Sequence, residues 1–96
     1  MRFRFSRRAE ADIEEIGDYI ARDNPARAVT FIAELRAHCR SLTEFPEAAP
    51  LRPSLGDNVR MAVHGRYLIL YAVRSDVLEI RRVLHGARDL RRIDIR

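Results

Sequence analysis

The sequence has few of the residues that support covalent cross-links, cofactor loops or membrane insertion. It contains one cysteine, four glycines and no lysine among 96 residues. A single thiol, Cys39, cannot form an internal disulfide, which fits a reducing cytoplasm. No apolar run approaches the roughly 20 residues that cross a bilayer, and the N-terminus lacks the apolar core of a signal peptide. We therefore expect a soluble cytoplasmic protein.

The glycines and histidines are too scattered to predict a cofactor. A phosphate-binding loop needs clustered glycines, whereas the four here are far apart: Gly17, Gly56, Gly65 and Gly86. His38, His64, His85 and Cys39 also lack the spacing of a metal site. We expect no cofactor and no metal, and we interpret Cys39 as a core residue.

The chain length fits a single domain, which we assign to residues 1–96. A domain of this size buries roughly 60–68% of its unfolded surface, which is enough to fold without a metal or a disulfide. No internal repeat or low-complexity tract divides it.

Positive charge is concentrated in the second half of the chain. Residues 1–48 hold eight arginines and nine acidic residues, a net charge of −1, whereas residues 49–96 hold ten arginines and five acidic residues, a net charge of +5. This asymmetry favours nucleic acid or an acidic polypeptide as a partner of the second half. The use of arginine alone also fits a GC-rich genome, and many of these side chains are simply solvated.

The first half predicts a short strand followed by two helices. Arg2–Phe5 alternates polar and apolar residues, as a half-buried strand does. Ser6 is a candidate N-cap for a helix that ends near Asp23, and Asn24-Pro25 begins a second helix that ends near Leu42. So short a link predicts an antiparallel helical hairpin. Each helix has an apolar stripe that we expect to face the core: Ala9, Ile13, Ile16 and Ile20, then Ala28, Ile32, Leu35, Cys39 and Leu42.

The second half predicts a loop and three strands. Prolines and a glycine make Pro46–Asn58 a loop, which we interpret as a connection to the sheet and not as a binding element. Val59–Val63, Arg66–Arg74 and a segment from Leu78 then read as strands with short links, so they run antiparallel. Leu90–Arg96 is long enough only for a helical turn or a tail. The fold class is α+β, in the order β-α-α-β-β-β, with the helical hairpin on one face of a small antiparallel sheet and Ile69 and Ile80 in the core.

Arginines interrupt these strands. A rigid sheet positions arginine for an anionic surface, and five arginines are our candidate partner-binding residues: Arg66, Arg74, Arg81, Arg82 and Arg88. Simple alternation places Arg82 on one face with Leu78, Ile80 and Leu84, where a charge needs a partner or an exposed rim. The acidic residues of the first helix, Glu10, Asp12, Glu14 and Glu15, suit the helix dipole as a solvated face.

Two tyrosines lie on one side of the central strand. Tyr67 and Tyr71 share that side with Ile69 and Val73. Paired aromatic rings on a sheet can stack nucleic-acid bases, but their apolar neighbours favour core packing.

Four segments together resemble the ParE branch of the RelE/ParE toxin superfamily: Ser6–Ile16 (SRRAEADIEEI), Asp18–Ile20 (DYI), Gly65–Tyr71 (GRYLILY) and Arg82–Leu90 (RVLHGARDL). The likeness covers nearly the whole chain, in the family's order and spacing. It implies the same fold and the toxin of a type II toxin–antitoxin pair. It further implies neutralisation by a small antitoxin whose C-terminal segment wraps the toxin, in an assembly of at least two toxins and two antitoxins. The implied target is DNA gyrase, with no sequence-specific DNA binding by this chain.

RelE-like relatives in the same superfamily instead cut mRNA on the ribosome. Attack by a 2′-hydroxyl needs a general base, a general acid and cations that stabilise the phosphorane. Arg66 matches a sheet arginine of that set, but the last tyrosine is Tyr71, and His85 is the one candidate acid or base in the last strand region. A histidine there is more often structural, bonding backbone near the Gly86 turn. The sequence thus favours a non-enzymatic gyrase poison, with the endonuclease as the alternative.

Overall fold

A four-stranded sheet carries two helices on one face, in a computed structural model that describes residues 1–89. The predicted tail or helical turn, Leu90–Arg96, lies outside the described residues. The strands lie in the order β1-β4-β3-β2, and the predicted α+β class is confirmed. The elements are β1 (Arg2–Phe5), α1 (Arg7–Ala21), α2 (Pro25–Ser41), a 3-10 turn (Pro53–Leu55), β2 (Arg60–His64), β3 (Tyr67–Arg74), β4 (Val77–His85) and α3 (Gly86–Asp89).

Both long helices begin at the caps that the sequence predicts. The Ser6 hydroxyl accepts a hydrogen bond from the Ala9 N–H at 3.0 Å, and the Asn24 side chain accepts one from the Arg27 N–H at 3.0 Å. Each cap satisfies an N–H that the first turn of a helix leaves unbonded. Pro25 follows at the first position of α2, where a missing N–H costs nothing.

The sheet is mixed, which corrects the prediction of a wholly antiparallel sheet. β2, β3 and β4 pair antiparallel as predicted, but β1 pairs parallel to β4, from Arg2 opposite Val77 to Phe5 opposite Ile80. Short links fix the direction of consecutive strands. β1 has no short link to β4, because both helices and two strands separate them along the chain, so that argument does not reach it.

A β-bulge changes the alternation of β4 at Arg81. Leu70 lies opposite Arg82 and Tyr71 lies opposite Ile80, so Arg81 has no partner residue of its own on β3. An extra residue in one strand shifts every later side chain to the other face.

The face predicted for Leu84 is therefore wrong. Leu78 and Ile80 face the helices, whereas Leu84 packs with Leu70 and Val59 on the opposite face. A bulge cannot be found by counting alternate residues, because nothing in the residue types of β4 marks Arg81 as the extra one.

The core lies between the helices and the sheet. Of the eight residues predicted to be buried, five are: Ile13, Ile16, Leu35, Ile69 and Ile80. The other three are only partly buried and pack at the margin of the core: Ile20, Ile32 and Leu42. Cys39 is fully buried as predicted, and burial raises the pKa of its thiol to about 12. Tyr67 and Tyr71 both belong to this core, which confirms packing over base stacking.

The proline-rich loop covers part of the second sheet face. Leu55 and Val59 pack against Leu70 there. The loop also bonds to the sheet edge, since the Met61 N–H donates to the Pro50 carbonyl at 3.1 Å. The loop thus does more than connect α2 to the sheet, which is the role that the sequence predicts.

None of the helices within residues 1–89 has both the length and the apolar character that crossing a bilayer requires.

Candidate functional site

The end of β4 has no neighbouring strand on one side within residues 1–89. β1 stops pairing at Phe5, opposite Ile80, and the start of α1 takes its place. The Ser6 N–H donates to the Ile80 carbonyl at 2.8 Å, and the Ser6 hydroxyl donates to the Arg81 carbonyl at 2.8 Å. One residue therefore caps a helix and closes the edge of the sheet beside it.

Asp12 of α1 continues this closure. One carboxylate oxygen of Asp12 accepts the Val83 N–H at 2.9 Å. The same carboxylate binds Arg82 through two hydrogen bonds, of 2.8 Å from Nε and 3.1 Å from Nη2. The Asp12 and Arg82 side chains are only 14% and 30% exposed, so the pair is partly shielded from water. Hydrogen bonding to Asp12 raises the pKa of Arg82.

Asp12 is a residue that the sequence interpretation placed wrongly. We assigned it to a solvated acidic face, but it anchors both a backbone N–H and an arginine. Two signals point to it. Asp12 lies three residues after Ala9 and four before Ile16, on the flank of the buried stripe, and Arg82 needs a partner.

His85 ends β4 and caps the short helix α3. Its Nδ1 accepts a hydrogen bond from the Arg88 N–H at 3.2 Å, while Asp89 accepts the His85 N–H at 2.8 Å. These two reciprocal bonds have the logic of a capping box. His85 thus makes the backbone contacts near Gly86 that the sequence predicts, and with Nδ1 as an acceptor the neutral ring carries its hydrogen on Nε2.

Arg88 lies beside this cap and pairs with a carboxylate of its own helix. Its Nε lies 2.9 Å from Asp89 Oδ1. The hydrogen bond from Arg88 is the main cause that lowers the pKa of Asp89. The His85 ring in turn packs edge-on against Tyr67, with ring centroids 5.4 Å apart. Burial raises the pKa of Tyr67, so its phenol stays neutral.

These residues border a cleft of about 960 Å³ between α1 and the end of β4, which we call the α1–β4 cleft. Two tyrosines and residues of both charges line it. The lining includes the basic residues Arg8, Arg22, Arg82 and Arg88, the acidic residues Asp12, Glu15, Asp18 and Asp89, and Tyr19 and Tyr67. The mixed charge makes this cleft a polar contact surface and not a uniformly cationic one.

The five candidate arginines do not form one surface. Arg82 and Arg88 line the α1–β4 cleft, and Arg66 lies nearby, since its carbonyl accepts the Gly86 N–H at 2.9 Å. Arg74 is the last residue of β3 and so lies at the end of that strand opposite to Arg66, which directly precedes it.

Most of these arginines already have carboxylate partners in the chain. Arg81 lies 3.4 Å from Glu79, in addition to the pairs that Arg82 and Arg88 make. Within residues 1–89, Arg66 and Arg74 make no ion pair. The described residues also contain no group of three histidine, cysteine or acidic side chains placed to hold a metal ion.

Comparison with known proteins gives one consistent family. The profile of the family described as "ParE toxin of type II toxin-antitoxin system, parDE" matches residues 3–90. The chain is 33% identical over 81 residues to "Toxin RelE2" of Caulobacter vibrioides, across 84% of this chain and 90% of that protein. It is 34% identical over 87 residues to "Putative toxin Y4kP" of Sinorhizobium fredii, across 88% of each chain.

A solved structure shows the same fold. A chain from "Chromosomal ParDE TA system from P. aeruginosa" superposes with a TM-score of 0.78 and 20% sequence identity. The superposition covers 88% of this chain and 95% of that one.

Proposed function

This chain belongs to the ParE toxin family of type II toxin–antitoxin systems, and we propose that it inhibits growth by binding and poisoning DNA gyrase in the cytoplasm. The proposal includes no covalent chemistry by the chain itself. The observation that carries this is the structural use of His85, whose Nδ1 caps α3 and whose N–H binds Asp89.

The arginines support the same conclusion. Cleavage of RNA by its own 2′-hydroxyl needs cations whose charge is available to the developing phosphorane. Arg82 and Arg88, the two that line the α1–β4 cleft beside His85, are neutralised by Asp12 and Asp89. A cation already held by a carboxylate stabilises a second anion weakly, so this site favours binding over catalysis.

Ribosome-dependent mRNA cleavage is the second candidate. Two contacts favour it. The His85 ring packs against Tyr67, and Gly86, the residue after His85, donates its N–H to the Arg66 carbonyl. One of the relatives is named "Toxin RelE2", which also supports this second candidate.

We further propose a cognate antitoxin with an acidic, amphipathic C-terminal segment as the neutralising partner, in an assembly of at least two toxins and two antitoxins. The structural relative comes from a ParDE system, which supports a partner of this kind. The candidate contact residues stay Arg66, Arg74, Arg81, Arg82 and Arg88. Arg66 and Arg74 present their charge directly, whereas an acidic segment must compete with this chain's own carboxylates for the other three.

Two assays separate the candidate functions. Purified full-length protein should block supercoiling by gyrase, and its expression alone should give filamentous cells with DNA damage signalling. His85→Asn should keep gyrase inhibition, because an Asn side chain can still accept the Arg88 N–H. Immediate arrest of translation, with mRNA cut at ribosomal A sites and cleavage lost in His85→Ala, would replace the gyrase proposal by the endonuclease.

The antitoxin proposal has its own test. The protein should co-purify with the product of a gene adjacent to its own, and charge reversal at Arg66 and Arg74 should weaken that complex more than reversal at Arg81. No complex with that product, or equal binding by all three variants, would show that the proposed contact surface is wrong.

A further inference from the structure

Two histidines from different layers of the fold touch each other. His38 lies in the last turn of α2 and His64 at the end of β2, and their Nδ1 atoms are 2.8 Å apart. Their rings are tilted by 49° with centroids 5.0 Å apart. Both side chains are partly buried, so this contact is a polar link between the helical layer and an edge strand.

A contact of this length needs one proton between the two nitrogens. In the neutral pair, one Nδ1 carries hydrogen and donates to the lone pair of the other. A first added proton keeps the contact, since an imidazolium can still donate to a neutral ring, and such a charge-assisted bond is stronger. A second proton places N–H groups on both Nδ1 atoms and two like charges within contact distance. The geometry accommodates one added proton and excludes two.

We propose that His38 and His64 form a proton-operated latch between α2 and β2, which stays closed with one added proton and opens when it takes a second. We call this pair the histidine latch. It concerns regulation by acid and is independent of the choice between gyrase and the ribosome.

The surroundings of the histidine latch favour this behaviour. Phe31 packs edge-on against the His64 ring with centroids 5.4 Å apart, and it also packs on Tyr67. Burial lowers the pKa of His38, and the neighbouring His64 lowers it further. Burial acts against any charge on this ring, and the charge of a protonated His64 acts specifically against the second proton.

Other ionisable groups face the latch from three elements. On α2, Glu34 is held by Arg27 through bonds of 3.0 and 3.2 Å. That bond is the main cause that lowers the pKa of Glu34, so it stays ionised while histidines titrate. Tyr67 of β3 stays neutral because burial raises its pKa. His85 of β4 packs edge-on against the Tyr67 ring.

Acid should destabilise the folded state through this pair. A histidine in an unfolded chain has a pKa of about 6.5, and the folded pair takes its second proton below that value. The unfolded state then binds more protons than the folded state, so stability falls as the pH drops from about 6.5 towards the lower folded value. Opening would remove the contact between α2 and the end of β2, beside the turn that carries Arg66, and leave β2 held by its pairing with β3 and by the loop.

The first test is nitrogen NMR on full-length protein with ¹⁵N-labelled histidine, from pH 8 to pH 5. The two rings should titrate as a coupled pair, with the second protonation displaced below the ordinary value of a histidine. Independent titration of both rings at ordinary values would overturn the proposal.

The second test uses His64→Asn, which places an amide where Nδ1 stood, preserves a hydrogen-bonding partner for His38 and cannot be protonated. Between pH 7.5 and 5, the unfolding equilibrium constant of the unaltered protein should rise more than that of the variant, because only the pair has to exclude a second proton. An equal pH dependence would overturn the proposal. If His64→Asn does not fold, the NMR titration decides.

His85→Asn is the matched control, because it removes a histidine outside the pair. It should keep the acid-dependent loss that His64→Asn reduces. At pH 5, amide hydrogen exchange corrected for intrinsic rates should show reduced protection in Arg60–His64 relative to β4. A uniform loss of protection, or an equal loss of the acid step in the control, would show that the pair is not a latch.

Discussion

At the end of β4, where β1 no longer pairs with it, α1 takes the place of a neighbouring strand, and we call this the β4 edge. Along the outer side of β2, the β2 edge, a loop bonds to the strand instead. The β4 edge depends on ionised carboxylates, since Asp12 and Asp89 accept the N–H groups of Val83 and His85. The β2 edge depends on backbone pairing and on the apolar anchor Val59. One small sheet thus protects its unpaired strand edges in two ways. Carboxylates that accept N–H groups protect one edge, and acid should weaken it. Backbone pairing and an apolar side chain protect the other, and loss of that side chain should weaken it.

The largest expected effect breaks the β4 edge. Asp12→Ala leaves the Val83 N–H and the partly buried Arg82 without their partner, so we expect a loss of about 3 kcal/mol in unfolding free energy. Urea denaturation at pH 7 measures it. Glu14→Ala, an exposed acid on the same helix, is the control and should change stability by less than about 0.5 kcal/mol. Equal effects of the two substitutions would mean that Asp12 is a solvated residue after all.

The matching change at the β2 edge is Val59→Ala. Val59 is 3% exposed and packs between the loop and the second sheet face. Loss of two buried methyl groups should cost about 2 kcal/mol. Val63→Ala on the adjacent strand is the control, because Val63 is 60% exposed. Thermal denaturation of the two variants compares them, and a larger loss for Val63→Ala would contradict the assigned packing of the loop.

A smaller effect is expected from the cap at the end of β4. His85→Ala removes the acceptor for the Arg88 N–H and should cost about 1 kcal/mol, the usual effect of a lost N-cap. His85→Asn should recover most of this loss. The comparison uses urea midpoints of both variants and the unaltered protein at a single pH, 8. If His85→Asn did not recover stability, the packing of the His85 ring on Tyr67, and not its hydrogen bond, would be what stabilises the end of β4.

The smallest effect concerns acid titration of the β4 edge. Because the pKa of Asp89 is lowered in the folded state, its stabilisation is present above the unfolded value of about 3.9 and is lost as the pH falls through the folded value. Asp89→Asn should therefore be less stable than the unaltered protein at pH 7, and the two should converge as the pH falls through the folded value. Denaturation midpoints across that range measure it, and parallel curves would exclude a role for the ionised carboxylate.

The sequence predicts those parts of the molecule that local rules govern. The caps Ser6 and Asn24 and the apolar stripes set α1 and α2, and the short turns set the antiparallel strands. The candidate site was predicted less well, because its key contacts join residues 70 positions apart, as in the bond from Arg82 to Asp12. The bulge at Arg81 has no local signal, and it moves Leu84 to the other face. The parallel direction of β1 is likewise set only when the folded chain brings β1 beside β4.

The placement of the three tyrosines has an optical consequence. The chain has no tryptophan, so ultraviolet absorption near 280 nm comes almost wholly from Tyr19, Tyr67 and Tyr71. Tyr19 is 56% exposed on α1, Tyr67 borders the α1–β4 cleft, and Tyr71 is fully buried with its hydroxyl donating to the Pro46 carbonyl at 2.8 Å. The chromophores thus sample solvent, cleft and interior. A molecule that enters the cleft should shift the spectrum of the first two and leave that of Tyr71 unchanged, which provides a label-free signal of occupancy.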